Sequence, residues 1–183
     1  GTKNATFDGG GWALKDGSVY AAYSPFIGDM YLDSKAVPVT YVGQKQVGDA
    51  SMAHLGAYDY MVATPVVPEF GTAQFTFKHL SALLQLKLTI SQPTSLHSVK
   101  LVAETESFAI EGKVDIMATT PVITPVTLAN EVKLDLQDVV TTEDDQVVTL
   151  YLMLPPVDLS AQTLKAIIAT ENGEEEIPLE SRN

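Results

Sequence analysis

The 183 residues hold 11 Lys plus Arg against 23 Asp plus Glu, a formal net charge of −12, with 45% apolar residues and no cysteine. Phosphate backbones and anionic headgroups repel such a chain, so nucleic acid and bare membrane are poor partners. The apolar fraction is that of a chain able to fill a core, and the missing cysteines exclude disulfides, thiolate metal sites and a cysteine nucleophile within it. No apolar run approaches the ~18 residues that cross a bilayer as a helix. Residue 1 is Gly, with no signal peptide after it, and the chain reads as a trimmed one.

Large aromatics come early: Trp12, Tyr20, Tyr23, Phe26 and Tyr31. Exposed, Trp12, Tyr20, Tyr23 and Tyr31 would stack on sugar rings; buried, they fill one end of a core, which is the commoner use of large aromatics. Residues 19–23, 37–42 and 58–63 are the first strand candidates. Residues 73–79 then alternate, with Ala73, Phe75, Phe77 and His79 on one face and Gln74, Thr76 and Lys78 on the other. After a turn over residues 80–83 the clearest period of two follows. Leu84, Leu86, Leu88 and Ile90 share one face of a strand, and Gln85, Lys87, Thr89 and Ser91 share the other. These two strands are expected to pair antiparallel.

Val99, Leu101 and Ala103 continue the alternation, as do Val132, Leu134 and Leu136. Residues 119–125 are proline-rich and read as an extended crossover between sheets. Residues 147–154 are apolar on both faces, which predicts a central or doubly covered strand. Leu164, Ala166 and Ile168 lead to Asn172-Gly173, a hairpin signal of the type I′ kind, with a short returning run at 176–179. Asp158 is placed to cap a short turn. Asp16-Gly17, Gly48-Asp49, Gln92-Pro93 and residues 143–145 supply further turns. No helical period persists for ten residues. About ten short strands with turns between them predict an all-β, antiparallel sandwich in a single domain spanning 1–183.

Candidates for chemistry are few. His54, His79 and His97 lack zinc spacing; His79 is expected on the core face of its strand and His97 near solvent. Ser51, His54 and Asp59 are the one close serine–histidine–acid set, without the G-x-S-x-G elbow. The acidic runs 143–145 and 174–176 lack the spacing of a calcium loop and read as solvated turns. No catalytic, metal or cofactor residue is assigned, and the chain reads as non-enzymatic.

Several stretches together resemble the fimbrillin-like proteins of the Bacteroidales. They are GWALKDGSVYAAYSPF at 11–26, DYMVA at 59–63, FTFKHLSALLQLKLTI at 75–90, LYLMLPP at 150–156 and the closing hairpin at Asn172-Gly173. The resemblance implies a transthyretin-like sandwich and export as a lipoprotein. It implies a structural or adhesive subunit of cell-surface fimbriae, joined to other subunits by strand donation. Host glycans or proteins are further partners it suggests, and the only membrane contact would be a lipid anchor outside this chain. Family members have strands ahead of the Trp12 segment and a second lobe after the hairpin, so the chain is expected to be the first lobe of a longer subunit. A surface carbohydrate-binding module of a glycan-uptake system is the alternative that the early aromatics suggest.

Overall fold

The computed structural model describes residues 14–27 and 35–179. Their strands in chain order are Tyr23–Ser24 (β1), Ala36–Thr40 (β2), Gln44–Val47 (β3), Met61–Ala63 (β4), Phe77–His79 (β5), Ala82–Ile90 (β6) and Ser95–Ala103 (β7). Phe108–Asp115 (β8), Ile123–Ala129 (β9), Glu131–Val140 (β10), Gln146–Leu154 (β11), Leu164–Thr170 (β12) and Gly173–Leu179 (β13) complete them. One 3-10 turn, Leu55–Ala57, is the sole helical element among the described residues. The expected all-β sandwich is the observed class.

The largest sheet runs β13-β12-β7-β10-β3. Smaller sheets β2-β8-β9, β11-β6 and β1-β4-β5 pack with it. All four contribute to one apolar cluster: Val99 and Leu101 from β7, Leu134 from β10, Phe108 from β8, Leu150 and Leu152 from β11, Leu86 from β6 and Val62 from β4. The alternation that predicted β7, β10 and β12 is the alternation that buries them, because successive strand residues point to opposite faces. Burying aliphatics at roughly 25 cal/mol per Å² is the main favourable term that offsets chain ordering here.

Among the described strands pairing is antiparallel, with one exception. β3 lies parallel to β10, Gln44 opposite Leu134 and Val47 opposite Gln137. β10 carries a register shift between Asp135 and Val139, where Asp138 takes a φ of 57°. Such a bulge bends the strand and re-aims the residues after it.

Several expectations are corrected. β5 and β6 do not pair with each other: β5 pairs with β4, and β6 pairs with β11 along its whole length. The reason sits between them at Ser81. Its hydroxyl donates to Tyr58 O at 2.8 Å, accepts the Tyr60 N–H at 3.1 Å, and meets the Tyr41 hydroxyl at 2.9 Å. The chain is pinned and turned there, so β6 leaves into another sheet. The strand expected over 73–79 shrinks to Phe77–His79, all three residues exposed. His79 therefore points outward, its side chain 64% exposed. The closing hairpin exists, but Thr170 pairs with Gly173, so Glu171 and Asn172 form its loop and Gly173 opens β13. The proline-rich segment becomes strand from Ile123 onward, with Pro125 on an edge strand that needs no N–H there. β3 and β8 were not foreseen.

Candidate strand-acceptor edge

Among the described residues a sheet edge leaves backbone groups unpaired, and its owner follows from alternation. In an antiparallel pair, each residue aims both its N–H and its C=O either at the partner or away from it, alternately along the strand. On β11, the backbone groups of Thr149, Tyr151 and Met153 bond to atoms outside β6. Val148, Leu150, Leu152 and Leu154 are therefore the residues that bond β6, at Leu88, Leu86, Leu84 and Ala82. It follows that Leu83, Gln85, Lys87 and Thr89 turn their N–H and C=O groups away from β11. No backbone partner for these groups is present among the described residues.

The face beside that edge is apolar. Leu84, Leu88 and Ile90 are half-buried and Leu86 is buried, all packed against the main core. Leu83, on the outer face, is 50% exposed. Near the start of β6 lies an open hollow of about 440 Å³, lined by Leu80, Ala82, Pro121, Val122 and Ile123 among others. β6 and β9 thus begin on the walls of one hollow. Among the described residues β9 also pairs on one side only, and its Val126 and Leu128 are exposed.

The edges of β2, β13 and β11 are closed or guarded. Just past β2, Tyr41 N–H donates to Ile110 O at 2.8 Å, so Thr40 faces outward, as does Pro38 two residues before it. The Tyr60 hydroxyl accepts the Thr40 N–H and donates to Thr40 O, both at 3.0 Å, while Pro38 has no N–H to offer. Burial holds the Tyr60 phenol above its ordinary pKa, so it keeps the proton this double contact requires. β13 carries Glu174, Glu175, Glu176 and Pro178, and charge and proline both deter strand addition. β11 is closed by side chains: Gln44 and Gln46 on β3, Asp49 and His54.

The candidate residues fall as follows. Trp12 and Tyr31 lie outside the described residues. Tyr20 exchanges backbone hydrogen bonds with Val66, and its hydroxyl accepts the Lys15 N–H at 2.8 Å. Tyr23 is half-buried on β1 and packs against the core. Ser51, His54 and Asp59 do not form a catalytic set. His54 Nε2 lies 3.0 Å from Tyr151 O, and Asp59 Oδ1 lies 2.7 Å from His79 Nδ1. His97 is exposed, as expected. The acidic run 143–145 is an exposed turn, and 174–176 lies on the edge strand β13.

Sequence reading found the two faces of β6 but not the edge that has no partner among the described residues, since pairing partners are set in three dimensions. It missed Gln44 and Gln46 altogether. Their signal was a Gln-x-Gln spacing between Gly43 and Gly48, two polar side chains on one face of a short run.

A family model described as fimbrillin-like matches residues 3–181 of the chain. No curated protein matches it.

Proposed function

The chain belongs to the fimbrillin-like family, and from that premise we propose that it is a structural subunit of cell-surface fimbriae that accepts a strand from a neighbouring subunit along β6. The family points to a fimbrial subunit at the cell surface in contact with other such subunits. Strand acceptance is our reading, and the outward backbone groups of Leu83, Gln85, Lys87 and Thr89 are the observation that carries it. Added strands gain affinity from the main-chain ladder and register from alternate side chains. Here the ladder would run seven residues, and inward side chains of the incoming strand would extend the row of Leu84, Leu86, Leu88 and Ile90. Each net hydrogen bond contributes about 0.5–1.5 kcal/mol, so a ladder of this length plus apolar burial supports a durable joint.

Lys87→Pro tests this. The Lys87 N–H points away from β11, so proline removes no bond of the β6–β11 ladder while denying a donor to an incoming strand. The full-length, processed subunit carrying Lys87→Pro should fold, by its circular dichroism melt, and fail to form fibres under the electron microscope. Fibres as abundant as those of the unmodified protein would overturn the reading.

A further inference from the structure

The closure of β11 is unusual in its means. The outward N–H and C=O groups of Thr149, Tyr151 and Met153 are all taken. Met153 N–H donates to Gln44 Oε1 and Met153 O accepts from Gln44 Nε2, both at 2.8 Å. Tyr151 N–H donates to Gln46 Oε1 at 2.9 Å, and Thr149 O accepts from Gln46 Nε2 at 3.0 Å. Asp49 Oδ1 takes the Thr149 N–H at 2.7 Å, Ala50 N–H also reaches Thr149 O at 3.0 Å, and His54 Nε2 meets Tyr151 O at 3.0 Å.

A glutamine amide carries the same paired acceptor and donor as a peptide group. Two of them at i and i+2 on one strand recur at about 6.8 Å, the interval at which a neighbouring strand repeats its outward groups. Gln44 and Gln46 therefore sit on β11 as a strand would, at strand-like hydrogen-bond distances. Both side chains are fully buried, at 0% exposure. Their second amide protons go to Tyr41 O at 3.0 Å and Gly48 O at 2.9 Å, which locks the amide orientation from the β3 side. The backbone of β3 is meanwhile paired in parallel with β10 on one side.

We propose that Gln44 and Gln46 form a surrogate strand that closes β11 against strand addition, leaving β6 as the single acceptor side of its two-stranded sheet. The inference rests on the reading of β6 as acceptor. It adds a direction: subunit contacts through this sheet form at one edge and never at both. A true backbone strand at this position would present its own far edge to the next chain, whereas a side-chain amide offers none. The pair thereby ends the sheet while satisfying every polar group it covers, the requirement for any buried backbone edge.

Residue-resolved amide exchange on the unmodified protein is the first test. The Tyr151 and Met153 amides should exchange at least about 100-fold more slowly than free-peptide rates, as protected backbone does. Free-peptide rates at both would overturn the surrogate strand, whatever is found at β6. The second test compares Lys87→Pro with Lys87→Pro/Gln44→Ala/Gln46→Ala, in which the shortened side chains no longer cover β11, by light scattering across concentration. Lys87→Pro alone should stay monomeric, and removing the amides should restore association through the uncovered β11 edge. A folded triple variant that stays monomeric would overturn the proposal. If the triple variant does not fold, Lys87→Pro/Gln46→Ala is read by the same criterion. Assembly by Lys87→Pro alone would instead count against β6 as the acceptor, and exchange at Tyr151 and Met153 would still judge the glutamines.

Discussion

The Gln44 side chain holds both backbone groups of Met153, 109 residues away, with its carbonyl and amide each at 2.8 Å. Gln44→Met keeps the volume and removes both bonds. Met153 is 4% exposed, so water does not reach its stranded N–H and C=O in compensation. Each unsatisfied buried group costs about 1–3 kcal/mol, which sets the expected loss for the two at about 2–6 kcal/mol in urea melts. Lys45→Met, the exposed neighbour, should stay within about 0.5 kcal/mol of the parent. A Gln44→Met loss no larger than that of Lys45→Met would show that the amide contributes nothing net.

Gly112 on β8 is held to glycine by space. A Cβ there would lie 2.6 Å from Ile123 Cγ2 and 2.8 Å from Thr124 O. The isoleucine methyl belongs to a side chain, whereas the carbonyl belongs to the paired strand β9. Gly112→Ala should therefore push β9 away and cost about 1–3 kcal/mol, the usual range for overpacking. Ile123→Ala in the same chain should restore only part of that, because Thr124 O stays in place. Full recovery in the double variant would locate the clash in the side chain alone.

Phe70 takes a φ of 54° and is 97% exposed. With Gly71 at 73° it forms the two-residue loop between Glu69 and Thr72, whose backbones exchange hydrogen bonds at 3.0 Å in both directions. Two successive positive φ values define a type I′ turn, which favours Asn-Gly. Phenylalanine bears the left-handed strain, roughly 1–2 kcal/mol, and buries almost nothing in return. Phe70→Asn should raise stability by about 1 kcal/mol, read as a higher urea midpoint at unchanged slope. A lower midpoint would mean that the ring has an intramolecular contact in solution.

The faces of the strands were legible because burial follows a period of two. Leu84 to Ile90, Val132 to Leu136 and Leu164 to Ile168 each name their inner side without help from the rest of the chain. Their partners were not legible. β5 and β6 look like a hairpin in sequence, and it takes Ser81, bonded to Tyr41, Tyr58 and Tyr60, to send them into different sheets. The acceptor edge was half visible: the alternation gave β6 its two faces, while its open side depended on β11, 56 or more residues later. Gln44 and Gln46 were hidden for a physical reason. A buried glutamine scores as an exposed one by composition, and what makes burial tolerable is the backbone of Met153, Tyr151 and Thr149, which no local pattern announces.

The Tyr41 ring meets Tyr60 edge-on, with centroids 5.7 Å apart, and its hydroxyl bonds Ser81 Oγ at 2.9 Å. Burial, the largest cause, pushes its pKa from 10.0 up to about 12, against a smaller lowering by the Ser81 bond. Burial raises Tyr58 and Tyr60 in the same direction. The sign is fixed by linkage: between pH 10 and about 12 the unfolded chain has already lost the Tyr41 proton while the folded chain keeps it. The stabilisation is whole below pH 10, falls as the pH rises through this window and levels off above it. Urea melts at successive pH values should show a steep alkaline decline in the parent. Tyr41→Phe should be less stable at neutral pH, having lost the Ser81 bond, and should decline less steeply above pH 10. Equal alkaline slopes in the two proteins would show that Tyr41 ionises as freely in the fold as outside it, and the enclosure of its hydroxyl by the β5–β6 corner would have to be abandoned.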